Sequence, residues 1–88
     1  MLIMWRTMSE RRVRFSQSAR RHRIGKAHAL YVMNTVVPEV IDADEVTNSR
    51  LLWVGPDERG LSLEVVAILQ PECLLVIHVM PHHFRRSL

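Results

Sequence analysis

The sequence predicts an α+β protein: a small antiparallel β-sheet with two N-terminal helices packed on one of its faces. Apolar residues alternate with other residues along 61–69 and 73–80, and a tight turn containing Pro71 separates these two runs. The helical patterns come earlier in the chain, between residues 16 and 37. Such a segregation of helices from hairpin strands is typical of α+β folds.

The first predicted element is a short strand in "RRVRFS", where Val13 and Phe15 alternate with arginines and leave one face in solvent. Ser16 or Ser18 can then cap a first helix over "SARRHRIG". Gly25 suits the left-handed residue that follows a helix C-terminus, so we expect this helix to end there.

A second helix is predicted from about Lys26 to Val36, because apolar residues recur there at helical spacing. Pro38 ends it, since the residue before a proline is pushed out of the helical region. The residues that we expect on its apolar side are Ala27, Leu30, Met33 and Val37.

An acidic, turn-rich segment, Glu39–Ser49, follows and contains one short extended piece around Val40 and Ile41. The cluster "GPDERG" predicts a turn after the first of the C-terminal strands. These three strands are predicted at Arg50–Gly55, Leu61–Leu69 and Cys73–Met80, and the last two form a hairpin.

The chain has 88 residues, of which 48% are apolar, so it makes one small domain. We assign that domain to residues 11–88 and treat residues 1–10 as an N-terminal extension. Cys73 is the single cysteine, which excludes an internal disulfide framework and fits a reducing cytoplasm. No apolar stretch approaches the length of a membrane span.

The net charge of +3 conceals a strong asymmetry along the chain. Residues 1–26 contain eight Lys or Arg and one acid, residues 27–72 contain two Arg and eight acids, and residues 73–88 contain two Arg and no acid. If the fold brings the two basic ends together, they form a positive patch. Such a patch attracts RNA or an acidic protein partner.

Metal-free cleavage of RNA needs a base for the 2′-hydroxyl proton, an acid for the leaving oxygen and cations that hold the phosphate. Histidine suits the first two roles and arginine suits the third. The candidate bases and acids are His22, His78, His82 and His83. The candidate phosphate ligands are Arg21, Arg23, Lys26, Arg85 and Arg86.

The same residues allow plainer roles. His28 stands alone on a helix and is more simply structural, and Glu64 is more simply an ion-pair partner than a general base. The spacing of His78, His82 and His83 could also suit zinc, but Pro81 interrupts any helix that would align the first two. We therefore predict no metal and no cofactor.

The run "RHRIGKAHA" resembles the K-H-G-[IV]-S-F-x-x-A segment of BrnT-type toxins. The stretch "LLWVGPDERGLSLEVVAILQPECLLVIHVM" looks like the three-stranded meander of the same family and of the related RelE-like toxins. The resemblance extends from Val13 to Arg86.

What the resemblance implies is a cytoplasmic type II toxin: a small endoribonuclease that blocks translation and is neutralised by a DNA-binding antitoxin from a neighbouring gene. Arg21 matches the family's lysine and His22 its histidine, whereas His78 and Met80 stand where the family has serine and arginine. We expect the catalytic set to be His22, His78, Arg21 and Lys26. We expect the RNA-binding set to be Arg14, Arg23, His82, His83, Arg85 and Arg86.

The implied partners are RNA, with or without the ribosome, and the antitoxin in a hetero-oligomer, with no membrane. Two alternatives remain open from the sequence. One is a non-catalytic module that binds nucleic acid or an acidic protein through the same basic patch. The other is a small metal-binding protein.

Overall fold

The computed structural model describes residues 12–42 and 49–82. They form five strands, one α-helix and a single turn of 3-10 helix. The predicted extension at residues 1–10 lies outside the described residues. In chain order the elements are β1 (Arg12–Phe15), a 3-10 helix (Ser18–Arg20), α1 (Lys26–Thr35), β2 (Glu39–Asp42), β3 (Arg50–Pro56), β4 (Ser62–Leu69) and β5 (Cys73–Pro81).

The α+β class is confirmed, but the predicted antiparallel sheet is wrong in one respect: the sheet is mixed. Its strands lie in the order β1-β5-β4-β3-β2, and β1 pairs with β5 in parallel. The other neighbours are antiparallel. The first and last strands of the chain are therefore adjacent, while β1 and β2 form the two opposite edges of the sheet.

The first of the two predicted helices is also wrong, since only the turn at Ser18–Arg20 is helical. A short helix needs an apolar face to pack, and Ala19 is the only buried residue of this one. The backbone of this segment makes local hydrogen bonds instead of helical ones: the Ala19 N–H donates to Ser16 Oγ at 3.3 Å. The left-handed residue of this segment is Arg23, with φ of 58°, whereas Gly25 has φ of −62° and precedes α1.

The second predicted helix is confirmed as α1. It ends at Thr35, as the position of Pro38 predicts, and it packs on β3 and β4. Its buried face differs from the predicted one, because the exposed residues include Ala27 and Val37. The side chains that α1 buries are those of Ala29, Val32 and Met33.

The end of α1 approaches β3 at Gly55. A Cβ atom built on Gly55 would lie 2.5 Å from Cγ2 of Val36, closer than packed carbon atoms come. Two residues before Gly55 in β3, Trp53 is fully buried in the core. The core is therefore assembled where the helix ends on the central strands.

Asp57 organises the predicted turn between β3 and β4. Its carboxylate accepts hydrogen bonds from the Arg59 N–H at 2.8 Å and the Leu61 N–H at 3.1 Å, and from the Arg59 guanidinium at 2.7 and 3.0 Å. Burial acts to raise the pKa of Asp57, but these hydrogen bonds and the charge of Arg59 outweigh it and hold the pKa below its usual value. Gly60, with φ of 85°, supplies the left-handed residue of the turn.

A one-residue bulge in β5 decides which way the last strand faces. Ala67 pairs with Val76 and Val66 pairs with His78, so Ile77 has no partner on β4. Regular alternation predicts that His78 shares a face with Val76. The bulge moves His78 to the opposite face and leaves both Val76 and Val79 buried in the core.

Candidate functional site

A cluster of titratable side chains lies beside β5, past the point where β1 ends. His22 comes from the loop that follows the 3-10 helix, and His78 comes from β5 just after the bulge. Their rings meet edge to face, with centroids 6.4 Å apart and planes at 81°. The fold thus joins a histidine from the basic N-terminal segment to one from the last strand.

Glu64 of β4 lies between His78 and a third histidine, His82. Glu64 Oε2 is 3.4 Å from His78 Nε2, and Glu64 Oε1 is 3.4 Å from His82 Nδ1. The side chain of Glu64 is 10% exposed, whereas the side chains of His78 and His82 are 33% and 32% exposed. We call His22, Glu64, His78 and His82 the histidine cluster.

The carboxylate and its neighbours have distinct contacts. His82 Nδ1 shares a hydrogen bond with Glu64 Oε1, whereas the buried His78 Nε2 is near Oε2 without a hydrogen bond to it. A carboxylate at these distances limits the orientations of the imidazole rings. The cluster therefore places imidazoles, which can carry protons, at the surface and beside a nearly buried carboxylate.

The bulge also fixes the loop that carries His22. The hydroxyl of Ser18 donates a 2.8 Å hydrogen bond to the carbonyl oxygen of Ile77, the residue that has no partner on β4. The same hydroxyl lies 2.8 Å from that of Ser16. The 3-10 helix is thereby anchored to β5 one residue before His78, which holds the loop against the strand.

Arginines surround this loop. The exposed residues of the 3-10 helix and the loop include Arg20, Arg21 and Arg23, and Arg14 is exposed on β1. Arg23 keeps a left-handed backbone that costs a non-glycine residue about 1 kcal/mol or more. Strain of this kind concentrates at functional sites, so its presence here supports a functional interpretation of the loop.

Lys26, predicted as a catalytic cation, is exposed and contacts Phe15. Its Nζ lies 5.6 Å from the centre of the Phe15 ring, over the ring face. This is the geometry of a cation–π contact, which ties the start of α1 to the end of β1. Met80, at the position where the resemblance places an arginine, pairs with Glu64 across β4 and β5 and carries no charge.

The structure thus brings together His22, His78 and His82, three of the predicted site residues. His83, Arg85 and Arg86 lie outside the described residues. Glu64, which the predicted site omits, sits at the centre of the cluster. Its signal in the sequence is an acid inside an otherwise apolar strand, but only the pairing of β4 with β5 shows that its neighbours are histidines.

A different group of side chains has the spacing of metal ligands. Among residues 12–42 and 49–82, donor atoms that all lie within 4.8 Å of one another occur in His28, Asp57 and Glu58. His28 Nδ1 is 2.6 Å from Glu58 Oε2. Both carboxylate oxygens of Asp57 already accept hydrogen bonds from Arg59 or from backbone N–H groups. The contact between His28 and Glu58 ties α1 to the β3–β4 turn.

No family model, no curated protein and no solved structure matches this chain. Across the described ranges, no helix combines the length and the apolar character that crossing a membrane requires. The functional argument therefore depends on the cluster itself.

Proposed function

We propose that this protein is a metal-independent endoribonuclease that acts in the cytoplasm as the toxin of a type II toxin–antitoxin pair. The observation that carries the proposal is the histidine cluster, in which His22 and His78 are in ring contact and Glu64 supports His78 and His82. The exposed arginines of the neighbouring loop supply the positive charge that an RNA phosphate requires.

The chemistry is intramolecular transphosphorylation. His78 takes the proton of a 2′-hydroxyl, and the freed oxygen attacks the adjacent phosphorus. The bond from phosphorus to the 5′-oxygen breaks, and His22 gives its proton to that oxygen. The products are a 2′,3′-cyclic phosphate and a 5′-hydroxyl, and the negative charge on the phosphate stays beside Arg21 and Arg23 throughout.

Glu64 acts as a positioning residue in this scheme. With Nε2 of His78 directed towards the carboxylate, Nδ1 is the ring nitrogen that takes the substrate proton. A carboxylate behind an imidazole stabilises the imidazolium that forms when the proton arrives. His82, on the other oxygen of Glu64, helps hold the carboxylate in place and adds positive charge when it is protonated.

The direct test uses the purified chain and a 5′-labelled single-stranded RNA in the presence of EDTA. We expect fragments that end in a 2′,3′-cyclic phosphate, and no cleavage of the same sequence made with 2′-O-methyl nucleotides. His22→Ala and His78→Ala should each slow cleavage by about a hundredfold or more, which is the usual contribution of one general acid or base.

His28→Ala is the matched control, since it removes a histidine that pairs with Glu58 instead of Glu64. Thermal unfolding of all three variants should confirm that they fold. Equal cleavage by the wild-type chain and both cluster variants would assign the activity to a contaminant and contradict the proposal.

The toxin role is tested in cells. Induction of the wild-type gene should stop growth and fragment RNA, whereas His78→Ala should permit growth at equal protein level. Co-expression of a neighbouring gene that encodes a DNA-binding protein should restore growth to the wild-type strain. Unimpaired growth with intact RNA would rule out the toxin role.

A second candidate is a non-catalytic module that binds RNA through the same loop. The exposed arginines favour it, because they are present whether or not the histidines react. This candidate predicts salt-sensitive binding of the 2′-O-methyl RNA with no cleavage of ordinary RNA. It also predicts that His22→Ala and His78→Ala leave binding unchanged.

A further inference from the structure

The edge of the sheet at β2 carries a group of exposed aliphatic side chains. Among the described residues, β3 is the only strand that pairs with β2, so the other side of β2 is open. Val40 is 58% exposed and Ile41 is 46% exposed on this strand. Val37, just before β2, is 73% exposed. We call these three residues the aliphatic edge.

An open strand edge with exposed β-branched residues is a template for pairing with another chain. Natural proteins usually protect such edges with lysines, prolines or charged side chains that point inwards. β2 contains neither lysine nor proline, and its protective features are its short length, its two acids and a bulge at Ile41. The backbone groups and the aliphatic side chains are therefore available together.

The charge of the surrounding chain selects the occupant. β2 contains two acids, Glu39 and Asp42, and the side chain of Glu39 at the start of the strand is exposed. A second copy would place two such acidic segments side by side, which is unfavourable. An extended segment with lysines or arginines between aliphatic residues would instead satisfy both the charge and the apolar surface.

We infer that the aliphatic edge binds an extended basic segment of another protein, which adds to β2 as a further strand of the sheet. This interface is separate from the proposed ribonuclease function. β2 lies two strand positions from β4, which carries Glu64, and three from β5, which carries His78. At about 4.8 Å per position, a strand added outside β2 lies about 14 Å or more from β4 and β5, so it leaves the histidine cluster accessible.

The test uses the full chain and two fluorescent peptides. One alternates lysine with valine, and the other has glutamate in place of every lysine. Binding is followed by anisotropy, and hydrogen exchange reports whether the amides of residues 39–41 become protected. We expect the lysine peptide to bind at least about tenfold more tightly than the glutamate peptide, with protection at β2.

Val40→Lys should weaken binding of the lysine peptide by about tenfold or more, because it places a charge on the edge. Leu61→Lys is the matched control: Leu61 is an exposed aliphatic residue, 49% exposed, in the β3–β4 turn. Alternate N-methylation of the lysine peptide should also abolish binding, since it removes backbone donors.

Three results would overturn the inference. One is that the glutamate peptide binds as tightly as the lysine peptide and that Val40→Lys weakens its binding by as much. Another is a dimer in sedimentation that Val40→Lys dissociates, which would make a second copy the occupant. The last is no saturable binding of the lysine peptide up to millimolar concentration. None of these results depends on whether the chain cleaves RNA.

Discussion

His22 and His78 meet edge to face, with ring centroids 6.4 Å apart, although one lies in an irregular loop and the other in the last strand. The contact depends on the parallel pairing of β1 with β5, which carries the loop alongside the second half of β5. Substitutions of residues around His22 and His78 that leave both rings in place can show whether the proposed cleavage and the stability of the fold change separately.

Glu64→Gln should lower kcat for RNA cleavage by about tenfold to a hundredfold and leave KM close to wild type, because an amide cannot stabilise the imidazolium of His78. Glu58→Gln, at the exposed partner of His28, is the matched control and should leave both kcat and KM close to wild type. An unchanged kcat in Glu64→Gln, or a loss that appears only in KM, would exclude a positioning role.

Ser18→Ala should slow cleavage more than it lowers stability. The lost hydrogen bond to Ile77 contributes about 1 kcal/mol to folding, but it also anchors the loop that holds His22. Thr35→Ala removes a hydroxyl bond of the same 2.8 Å length, from Thr35 to the carbonyl of Tyr31 on α1. Chemical denaturation and cleavage rates of the two variants should diverge; a parallel loss in both would show that the Ser18 bond is only structural.

Replacement of Arg21 and Arg23 by glutamine should weaken binding of the uncleavable 2′-O-methyl RNA and flatten its dependence on salt. Each phosphate contact contributes about 0.7 to the slope of log K against log salt for single strands, so the double variant should lose up to about 1.4. Arg50→Gln is the control, since Arg50 is an exposed arginine on β3. The same slope in all three proteins would place the RNA elsewhere.

Gly55→Ala should lower the free energy of unfolding by about 1–3 kcal/mol, because the new Cβ overlaps Val36 at the end of α1. Gly25→Ala is a suitable comparison: its Cβ would be 3.4 Å from the ring of His28, and its φ of −62° suits alanine. Urea denaturation measures both. A fully stable Gly55→Ala protein would show that α1 can move away from β3 at little cost.

The Asp57 carboxylate should make stability depend on pH in acid. Its pKa is lower in the folded protein than the ordinary value of 3.8, so ionised Asp57 stabilises the fold above pH 3.8 and this contribution is lost as the pH falls below that value. Asp57→Asn should be less stable at neutral pH and lose less stability between pH 5 and acid. Thermal melts across this range test the sign; an identical pH dependence in both proteins would contradict it.

Local patterns in the sequence predict most of the elements. Alternation locates β4 and β5, and Pro38 locates the end of α1. The parallel pairing of β1 with β5 is not predictable in this way, because it joins residues distant in the chain and leaves no local pattern. The face of the sheet on which His78 lies cannot be predicted from the sequence for a related reason: one bulged residue, Ile77, reverses the alternation.

The predicted site shows the same division. Residue types alone select His22 and His78, whose chemistry is distinctive. They do not select Glu64, since an acid in a strand has many possible partners, and they place Lys26 in the site although its contact is with Phe15. Proximity to the histidines, rather than residue type, decides which charged groups belong to the cluster.

The pairing of the first strand with the last also determines when the protein becomes complete during its synthesis. Of the described strands, β1 leaves the ribosome first, but its neighbour in the sheet, β5, is the last to emerge. Long-range pairing of this kind forms late. A nascent chain therefore keeps His22 and His78 apart until β5 has emerged, so a product truncated before β5 would lack their contact.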